Sequence, residues 1–404
     1  DLAALTAEVA PPDDPQVAAE VEALRGKLVR AKVVADAGKI DEGLAEVAAV
    51  RERARALGYR PLVAEAALAS GRMAITGLRI EPAREALAEA FVTATATRQD
   101  AIAAEAKARQ LFVTGTLEGR HDMALGERPL AEALVERTGG RRDLAALVAN
   151  NLGAVFGERG DLATAGDLFR KALELADDGR ALDPLDYAGG YLTNAAATNA
   201  DPAERDHLFA RAEQILEGAL GPRHVSLLQV RMRRARHTDD VTAALEQLAA
   251  TCPSVRDEPA AMWGVCSQCF AVLADLHHEA GHGDAAAQAF TEMQACLARD
   301  AAAGDPEADA LRDYARGRVE LLAGRPDSAV AALKRAQAVW EPHAGLEYVA
   351  RWLADVRLAE GEAQLALGRV DLAVPLLEQA LAGHTGQQTR TLLSRPRRGA
   401  TEAR

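Results

Sequence analysis

The stretch NNLGAVFGERGDLATAGDLFRKALELA, residues 150–176, contains a glycine at position 153, a second glycine seven residues later, and alanines twelve and nineteen residues after the first. The same spacing recurs twice nearer the C-terminus. The three copies are Gly153, Gly160, Ala165 and Ala172; Gly317, Gly324, Ala329 and Ala336; and Gly361, Gly368, Ala373 and Ala380. An internal repeat of this kind is typical of stacked helix pairs.

Each position in the repeat has a physical reason. The first glycine lies in the middle of a helix, where the missing side chain lets a partner helix approach closely. The second glycine ends that helix, where a left-handed backbone is needed. The alanines at plus twelve and plus nineteen are two turns apart on one stripe of the second helix. We expect Ala165 and its counterparts to lie at the tightest crossing of the two helices.

Looser copies of the repeat extend the pattern over most of the chain. They are Gly71, Leu78, Ala83 and Ala90; Ala274, Gly281, Ala286 and Met293; and a partial unit at Gly38, Gly43 and Val47. Because no stretch alternates polar and apolar residues between turn signals, we assign no sheet. The predicted fold class is all-α, a right-handed α-solenoid of about nine antiparallel helix pairs.

The organisation predicted around this array has three parts. Residues 1–14 are a flexible N-terminal segment, residues 15–383 the solenoid, and residues 384–404 a disordered basic tail. The tail is either solvated without a role or docks on an acidic groove of this protein or of a partner. Since the chain opens on Asp1, we expect it to be a piece of a longer polypeptide. Asp201 and Pro202 predict a helix start, and this region is a candidate hinge.

Composition narrows the classes of function. The formal net charge of −13 argues against binding to nucleic acid or to an anionic membrane. Aromatic residues make up 4% of the chain, so alanine and leucine must form the interior. The four cysteines are too few and too clustered to staple the fold, which favours a reducing, cytosolic compartment. Cys266 and Cys269 are predicted to face the core, with a redox or inter-helix metal role as the alternative. No apolar run reaches the length of a membrane span.

Several segments resemble tetratricopeptide repeats. They are Asn150–Gly153, Gly160–Ala172 and Leu220–His224, the last being similar to the turn between repeats of the kinesin-light-chain-like subtype. Leu57–Ala66 and Arg128–Gly140 resemble the repeat region that follows the kinase domain in myxobacterial serine/threonine protein kinases.

The resemblance covers roughly residues 20–383 and implies a scaffold or regulatory module of a bacterial signalling kinase. Its partner, a peptide or helix, would lie along the concave face formed by the first helices. Departures from the family pattern are the 44-residue step from Gly317 to Gly361 and the degraded amide pair at Asn194. A repeat region of a transcriptional regulator stays open as an alternative.

The chain lacks the motifs of a kinase or a P-loop enzyme, so this segment is predicted to be non-enzymatic and to need no cofactor. The rival hypothesis is a zinc-dependent hydrolase at His278, Glu279 and His282, which match the H-E-x-x-H pattern. The repeat opposes it, because Gly281 occupies the helix-ending position and places His282 in the turn. No metal site is predicted.

Two groups of polar residues are candidates for contact with a protein or peptide partner. Asn150, Asn151 and Asn194 are predicted to present amides into the groove, where they could pair with an extended main chain; the alternative is exposed, idle amides. The second group is a possible site for an acidic partner, or else a solvated or ion-paired face. It comprises Arg231, Arg233, Arg234 and Arg236.

Overall fold

The computed structural model describes residues 11–176, 183–238, 240–257, 264–300, 306–344 and 347–383. Within these ranges the chain forms helices and turns and contains no strand. The predicted basic tail and most of the predicted flexible N-terminal segment lie outside the described residues. The chain divides into two compact units: unit 1 is Asp1–Ala200 with Ala210–His224, and unit 2 is Asp201–Phe209 with Val225–Arg404.

Unit 1 is built from consecutive helices with short turns between them. They are α1 (Pro15–Asp36), α2 (Ile40–Ala56), α3 (Arg60–Thr76), α4 (Ile80–Ala96), α5 (Asp100–Phe112), α6 (His121–Gly126), α7 (Arg128–Arg137), α8 (Arg142–Glu158), α9 (Leu162–Ala176) and α10 (Thr193–Thr198). A π-helical segment, Val113–Leu117, continues α5, and another, Leu185–Leu192, leads into α10. Helix α11 (Pro202–Leu220) contributes residues to both units.

Unit 2 repeats the same design. Its helices are α12 (Val225–His237), α13 (Val241–Asp257), α14 (Val265–Glu279), α15 (Gly283–Asp300), α16 (Pro306–Leu322), α17 (Pro326–Trp340), α18 (Glu347–Ala366) and α19 (Val370–Gly383). A short 3-10 turn, Glu341–His343, follows α17.

The helices form antiparallel pairs. We call α1, α3, α5, α8 and the Leu185–Thr198 helix the first helices of unit 1, and α12, α14, α16 and α18 the first helices of unit 2. The helix that follows each in its pair is a second helix. The predicted fold class, an all-α array of helix pairs of the tetratricopeptide type, is confirmed.

The repeat glycines adopt the predicted conformations. Gly160, Gly324 and Gly368 have φ of +83°, +70° and +72° and end their helices. A Cβ atom on Gly317 would lie 2.5 Å from Cγ of Leu333, and one on Gly153 would lie 2.7 Å from Cε1 of Phe169.

The side chain received at the first glycine therefore comes from position plus sixteen of the repeat. The expectation that the alanine at plus twelve forms the tightest crossing is wrong in this detail, because the larger side chain one turn further along the second helix reaches the glycine. The alanines at plus twelve and plus nineteen are nevertheless buried, at 0% exposure for Ala165 and Ala172.

Turns and caps elsewhere follow the same logic. Leu78 takes the left-handed backbone of the turn position, with φ of +54°, where other repeats have glycine. Asp201 caps α11, since its Oδ1 accepts a hydrogen bond of 2.9 Å from the backbone N–H of Ala203. The first helix before Asp201 is short: its two segments contain 8 and 6 residues, compared with 17 in α8.

The four cysteines lie in the core of unit 2, as expected for Cys266 and Cys269, which are both fully buried. They are joined, however, in two disulfides: Cys252 of α13 with Cys269 of α14, and Cys266 of α14 with Cys296 of α15. The expectation that the four cysteines do not staple the fold is therefore wrong for these three helices. Cysteine spacing alone gave no sign of it, because the partners are brought together only when three successive helices pack.

Replacing Gly317 with alanine is expected to destabilise unit 2. The new Cβ would overlap Leu333, and overpacking of this kind costs about 1–3 kcal/mol, partly offset by about 1 kcal/mol from the better helix propensity of alanine. Urea unfolding should therefore show a net loss of about 1 kcal/mol. Gly283→Ala is the matched control, because nothing lies within 4 Å of the added methyl group. Equal stability of the two variants would contradict the close approach.

The disulfides predict that the unfolded chain contains no thiol that reacts with iodoacetamide until a reductant is added, and four afterwards. Each bridge closes a loop, of 17 and 30 residues, and contributes about 2–4 kcal/mol in the chain-entropy account. Reduction should lower the melting temperature measured by circular dichroism, and intact mass spectrometry counts the alkylated cysteines. Four reactive thiols in the unreduced, purified chain would refute the pairing.

Candidate functional site

The first helices of unit 1 lie on its concave side. Lys32 Nζ of α1 is 3.0 Å from Asp183 Oδ2, which directly precedes the fifth first helix. A straight row of helices spaced 8–10 Å apart would separate these two helices by about 30–40 Å. The contact therefore requires the row of first helices to curve inward. We call the face of the first helices that lies on this concave side the inner face.

A network of ion pairs crosses the inner face of unit 1. The Arg109 guanidinium binds both carboxylate oxygens of Asp186, at 3.1 and 2.6 Å, and donates from Nε to Glu105 at 2.8 Å. Glu105 also pairs with Arg72 of α3. Burial would raise the pKa of Asp186, but the charge and hydrogen bonds of Arg109 outweigh it and hold the pKa below its ordinary value. The network joins three first helices and is already neutralised internally.

The three predicted groove amides form a ladder beside this network. Asn151 donates from Nδ2 to the backbone carbonyl of Ala108 at 2.9 Å, Asn150 donates to Asn151 Oδ1 at 3.1 Å, and Asn194 donates to Asn150 Oδ1 at 3.0 Å. Asn150 and Asn151 are only 6% and 5% exposed. The structure thus brings the three predicted residues together, and these hydrogen bonds tie α5, α8 and α10 to one another. Contact with a partner peptide remains a proposal for these residues.

We call the position of the first glycine of the repeat, which the second helix approaches, the contact position. In unit 2 a charged residue directly follows this position in successive first helices. Asp275, Arg318 and Glu362 directly follow Ala274, Gly317 and Gly361, so they occupy equivalent positions on α14, α16 and α18. Lys32 and Arg72 hold the same position in unit 1. This signal is visible in the sequence, although the sequence prediction did not include these five residues.

Arg318 is the buried centre of this cluster. Its Nη1 donates to Glu362 Oε2 at 2.9 Å, and its guanidinium carbon lies 5.4 Å from the centre of the Phe290 ring. The Arg318 side chain is only 5% exposed. Asp355 is close enough to influence the ionisation of both Arg318 and Asp275. We call the set Asp275, Arg318, Asp355 and Glu362 the Asp275 cluster.

Asp275 is exposed to solvent, yet its ionisation is that of a desolvated group. Burial of its surroundings raises the pKa of Asp275 to about 7; Arg318 and Arg236 oppose the rise, whereas Asp355 and Glu279 add to it.

The H-E-x-x-H segment does not form the geometry of a zinc site. Helix α14 ends at Glu279, and Gly281 has a φ of +77°, so His282 lies beyond the helix. His282 Nδ1 instead lies 3.4 Å from His277 Nδ1. Across the described ranges, no group of three or more His, Cys, Asp or Glu residues could hold a metal ion. The residues of the rival hypothesis are therefore not brought together.

The predicted arginine patch lies on α12. Arg234 Nη2 pairs with Asp206 Oδ1 at 2.6 Å, and Arg231, Arg233 and Arg236 also interact within the chain. Next to them, the ring of His237 lies 6.0 Å from that of Phe209. Burial, together with the nearby arginines, lowers the pKa of His237 to about 4. His237 is therefore neutral at physiological pH and adds no charge to the patch.

A pocket of about 110 Å³ lies between α7, α8 and α9, lined by residues that include Arg128, Leu152 and Lys171. Binding sites for small molecules usually enclose about 300–1,000 Å³, so this pocket is too small to be one. In the part of the chain that the structure describes, no helix is long and apolar enough to cross a membrane.

Comparisons with known proteins support the fold. No protein-family model matches the chain, and no curated protein matches it in sequence. Among solved structures, a Rap protein complexed with competence and sporulation factor is similar, with a TM-score of 0.58 and 12% identity over 93% of this chain and 99% of that chain.

Two other solved structures are more distant. The apo form of RapI has a TM-score of 0.49 and 12% identity, over 89% of this chain and 97% of that chain. The TPR domain of P58(IPK) has a TM-score of 0.21 and 17% identity, over 83% of this chain and 97% of that chain. Of these three structures, the Rap protein with a TM-score of 0.58 supports the all-α helical repeat described above.

The state of His237 predicts that stability falls in mild acid. The pKa of His237 is about 4 in the folded chain and near the ordinary 6.5 in the unfolded chain. Between these values the unfolded chain binds more protons, so stability is present above pH 6.5 and is lost as the pH falls toward 4. We expect the free energy of unfolding of the His237→Gln variant to fall about 2 kcal/mol less than that of the native chain between pH 7 and pH 4.5. Urea unfolding at the two pH values measures this difference.

The control for this experiment is His207→Gln, because His207 is exposed on α11. It should leave the pH dependence of unfolding unchanged. If His237→Gln and the native chain lose stability equally between pH 7 and pH 4.5, the buried, neutral state of His237 is refuted, whatever the absolute stability of the variant.

Proposed function

We propose that the chain is a protein-interaction module whose partner, a peptide or a helix of another protein, binds along the inner face of the first helices. The observation that carries the proposal is the row of charged residues at equivalent positions of successive first helices. On second helices the matching stripe is alanine and is buried in the pair. A linear partner meets a charged side chain of one sign or the other at this position of α1, α3, α14, α16 and α18, whereas α8 has Ala154 there. Such a row of charges suits the recognition of an extended or helical segment.

The similar Rap structure adds support of a limited kind. That protein was crystallised as a complex with competence and sporulation factor, so a fold of this class can hold a bound partner. At 12% identity the similarity concerns the fold alone and does not identify the partner of the present chain.

The parent polypeptide in this proposal is a bacterial serine/threonine protein kinase, with the present chain as its regulatory or scaffolding region. Support comes from the resemblance of Leu57–Ala66 and Arg128–Gly140 to the repeat region of myxobacterial kinases. The alternative is a transcriptional regulator with the same kind of repeats. The coding sequence upstream of Asp1 separates the two: a kinase domain supports the first, and a P-loop or DNA-binding domain supports the second.

The proposal also places the chain in the cytosol. The two disulfides argue against this location. Disulfides persist mainly in oxidising compartments, so the alkylation experiment on the four cysteines bears on location as well as on stability.

Photo-crosslinking tests the binding face. We expect benzoylphenylalanine at position 72 or 32, on the inner face of unit 1, to crosslink to one partner protein in the cells that produce the chain. The same group at position 84, exposed on α4, should not capture it. With the purified partner, Arg72→Ala should raise Kd at least fivefold, whereas Arg84→Ala should leave Kd unchanged. Capture from position 84 alone, or equal effects of the two alanine variants, would refute an inner-face site.

A further inference from the structure

The pocket between α7, α8 and α9 lies on the side of α8 opposite the inner face; we call it the α8 pocket. Its floor is formed by Ala145, Val148, Ala149 and Leu152 of α8. Ala145 precedes Ala154, which directly follows the contact position, by nine residues. That separation is about two and a half turns of an α-helix. The floor therefore points away from the inner face.

The α8 pocket has the size of a single side chain. Its volume is about 110 Å³, and Val135 of α7 and Leu168 of α9 form apolar walls on either side of the floor. For comparison, an apolar cavity of about 150 Å³ holds one benzene molecule. The α8 pocket therefore suits one aliphatic side chain of a partner protein. Anchors of this kind contribute much of the binding energy of an interface.

The rim of the α8 pocket has one positive charge without a partner. On the α7 side, Arg128 Nε donates to Glu132 Oε1 at 2.8 Å, so these two charges compensate each other. On the α9 side, the exposed Lys171 ammonium group has no hydrogen bond or ion pair with a described residue. This local positive charge contrasts with the formal net charge of −13 of the whole chain.

The repeat shows that an unpaired charge at this position is unusual for the chain. Lys171 lies eighteen residues after the contact position, Gly153. Charged residues at the same position of three other second helices each have an ion pair within the chain: Glu89 with Arg51, Glu292 with Arg256, and Arg335 with Asp313.

The pair of Arg335 and Asp313 explains the difference. Arg335 Nε lies 3.1 and 3.0 Å from the two carboxylate oxygens of Asp313. Arg335 is equivalent to Lys171, and Asp313 is equivalent to Ala149 in the floor of the α8 pocket. Because alanine stands where the other repeat has aspartate, the floor is apolar and Lys171 lacks a carboxylate partner.

We propose that the α8 pocket binds an acidic segment of a partner protein, which inserts one aliphatic side chain between α7 and α9 and pairs a carboxylate with Lys171. The carboxylate of the partner then takes the part that Asp313 plays beside Arg335. Opposite charges at the rim select the partner, and the buried aliphatic side chain supplies most of the affinity. The inference goes beyond the proposed function, because it concerns the opposite side of unit 1.

A random peptide library displayed on phage tests the proposal. Peptides are selected on the native chain and then depleted on the Ala145→Leu variant, in which the larger side chain fills the pocket. We expect the peptides that remain to combine a leucine, isoleucine or methionine with a nearby aspartate or glutamate. A circular dichroism melt shows whether the variant is folded, and Lys171→Glu replaces it in the depletion step if it is not. If no peptide remains after depletion, the proposal is overturned.

Fluorescence anisotropy of the most frequent peptide, synthesised with a fluorescein label, then separates the two contacts. Lys171→Gln should weaken binding about threefold to fivefold, the loss of one partly exposed ion pair. Replacing the acidic residue of the peptide by its amide should have no further effect on that variant. Alanine in place of the aliphatic residue of the peptide should weaken binding at least tenfold.

Two control variants define the site. Arg170→Gln alters the neighbouring residue of α9, whose side chain pairs with Asp167 and does not line the pocket, and it should change Kd less than twofold. Arg72→Ala, on the inner face, should also change Kd less than twofold, so the result is independent of the proposed function. Equal effects of Lys171→Gln and Arg170→Gln, or binding that does not depend on the aliphatic residue of the peptide, overturn the proposal.

Discussion

The close approach at the first glycine of each repeat is the contact on which the rest of each unit depends. A leucine or phenylalanine from the second helix occupies the space that a Cβ atom would fill: Leu87 at Gly71, Phe169 at Gly153, Leu333 at Gly317 and Leu377 at Gly361. Because this position fixes the phase of the first helix, it also fixes which residues turn away from the partner helix. The charged residues of the inner face are a consequence of that phase.

The two units use their inner faces differently. In unit 1 the Arg109–Asp186 pair and the amide ladder of Asn150, Asn151 and Asn194 join the first helices. Buried ion pairs add little net stability, because desolvation of the charges offsets their attraction, but a broken pair is costly. The network therefore favours one arrangement of the helices over others. In unit 2 an aromatic cluster that includes Phe290, Tyr314 and Trp352 performs the packing, so the charges around Asp275 are not all committed to holding helices together.

How much the sequence could predict follows from the range of each interaction. Helix ends at Gly160, Gly324 and Gly368 depend on local backbone conformation, and spacing alone predicts them. The same phase removes His282 from the helix of His278. Arg109 and Asp186 are 77 residues apart and meet only because the row of first helices curves, so no local sequence pattern predicts their contact. The cysteine pairs also depend on the packing of three helices. The repeat alone shows that Asp275, Arg318 and Glu362 hold equivalent positions, one residue after the contact position. Only the structure shows which of these charges is solvated and which is desolvated.

That distinction decides which surface is the better candidate for binding. A buried amide or ion pair that is already satisfied inside the chain gains little from a partner, because binding exchanges one hydrogen bond for another. This is the situation of Asn151 and Asp186 in unit 1. Asp275 differs, since it is partly desolvated, open to solvent and without a bonded partner among the described residues. A cation that reaches it replaces an unfavourable state of the free chain and competes with no existing contact. A ligand of opposite charge can use this free energy at Asp275, whereas a ligand at the amide ladder would have to exchange one satisfied hydrogen bond for another.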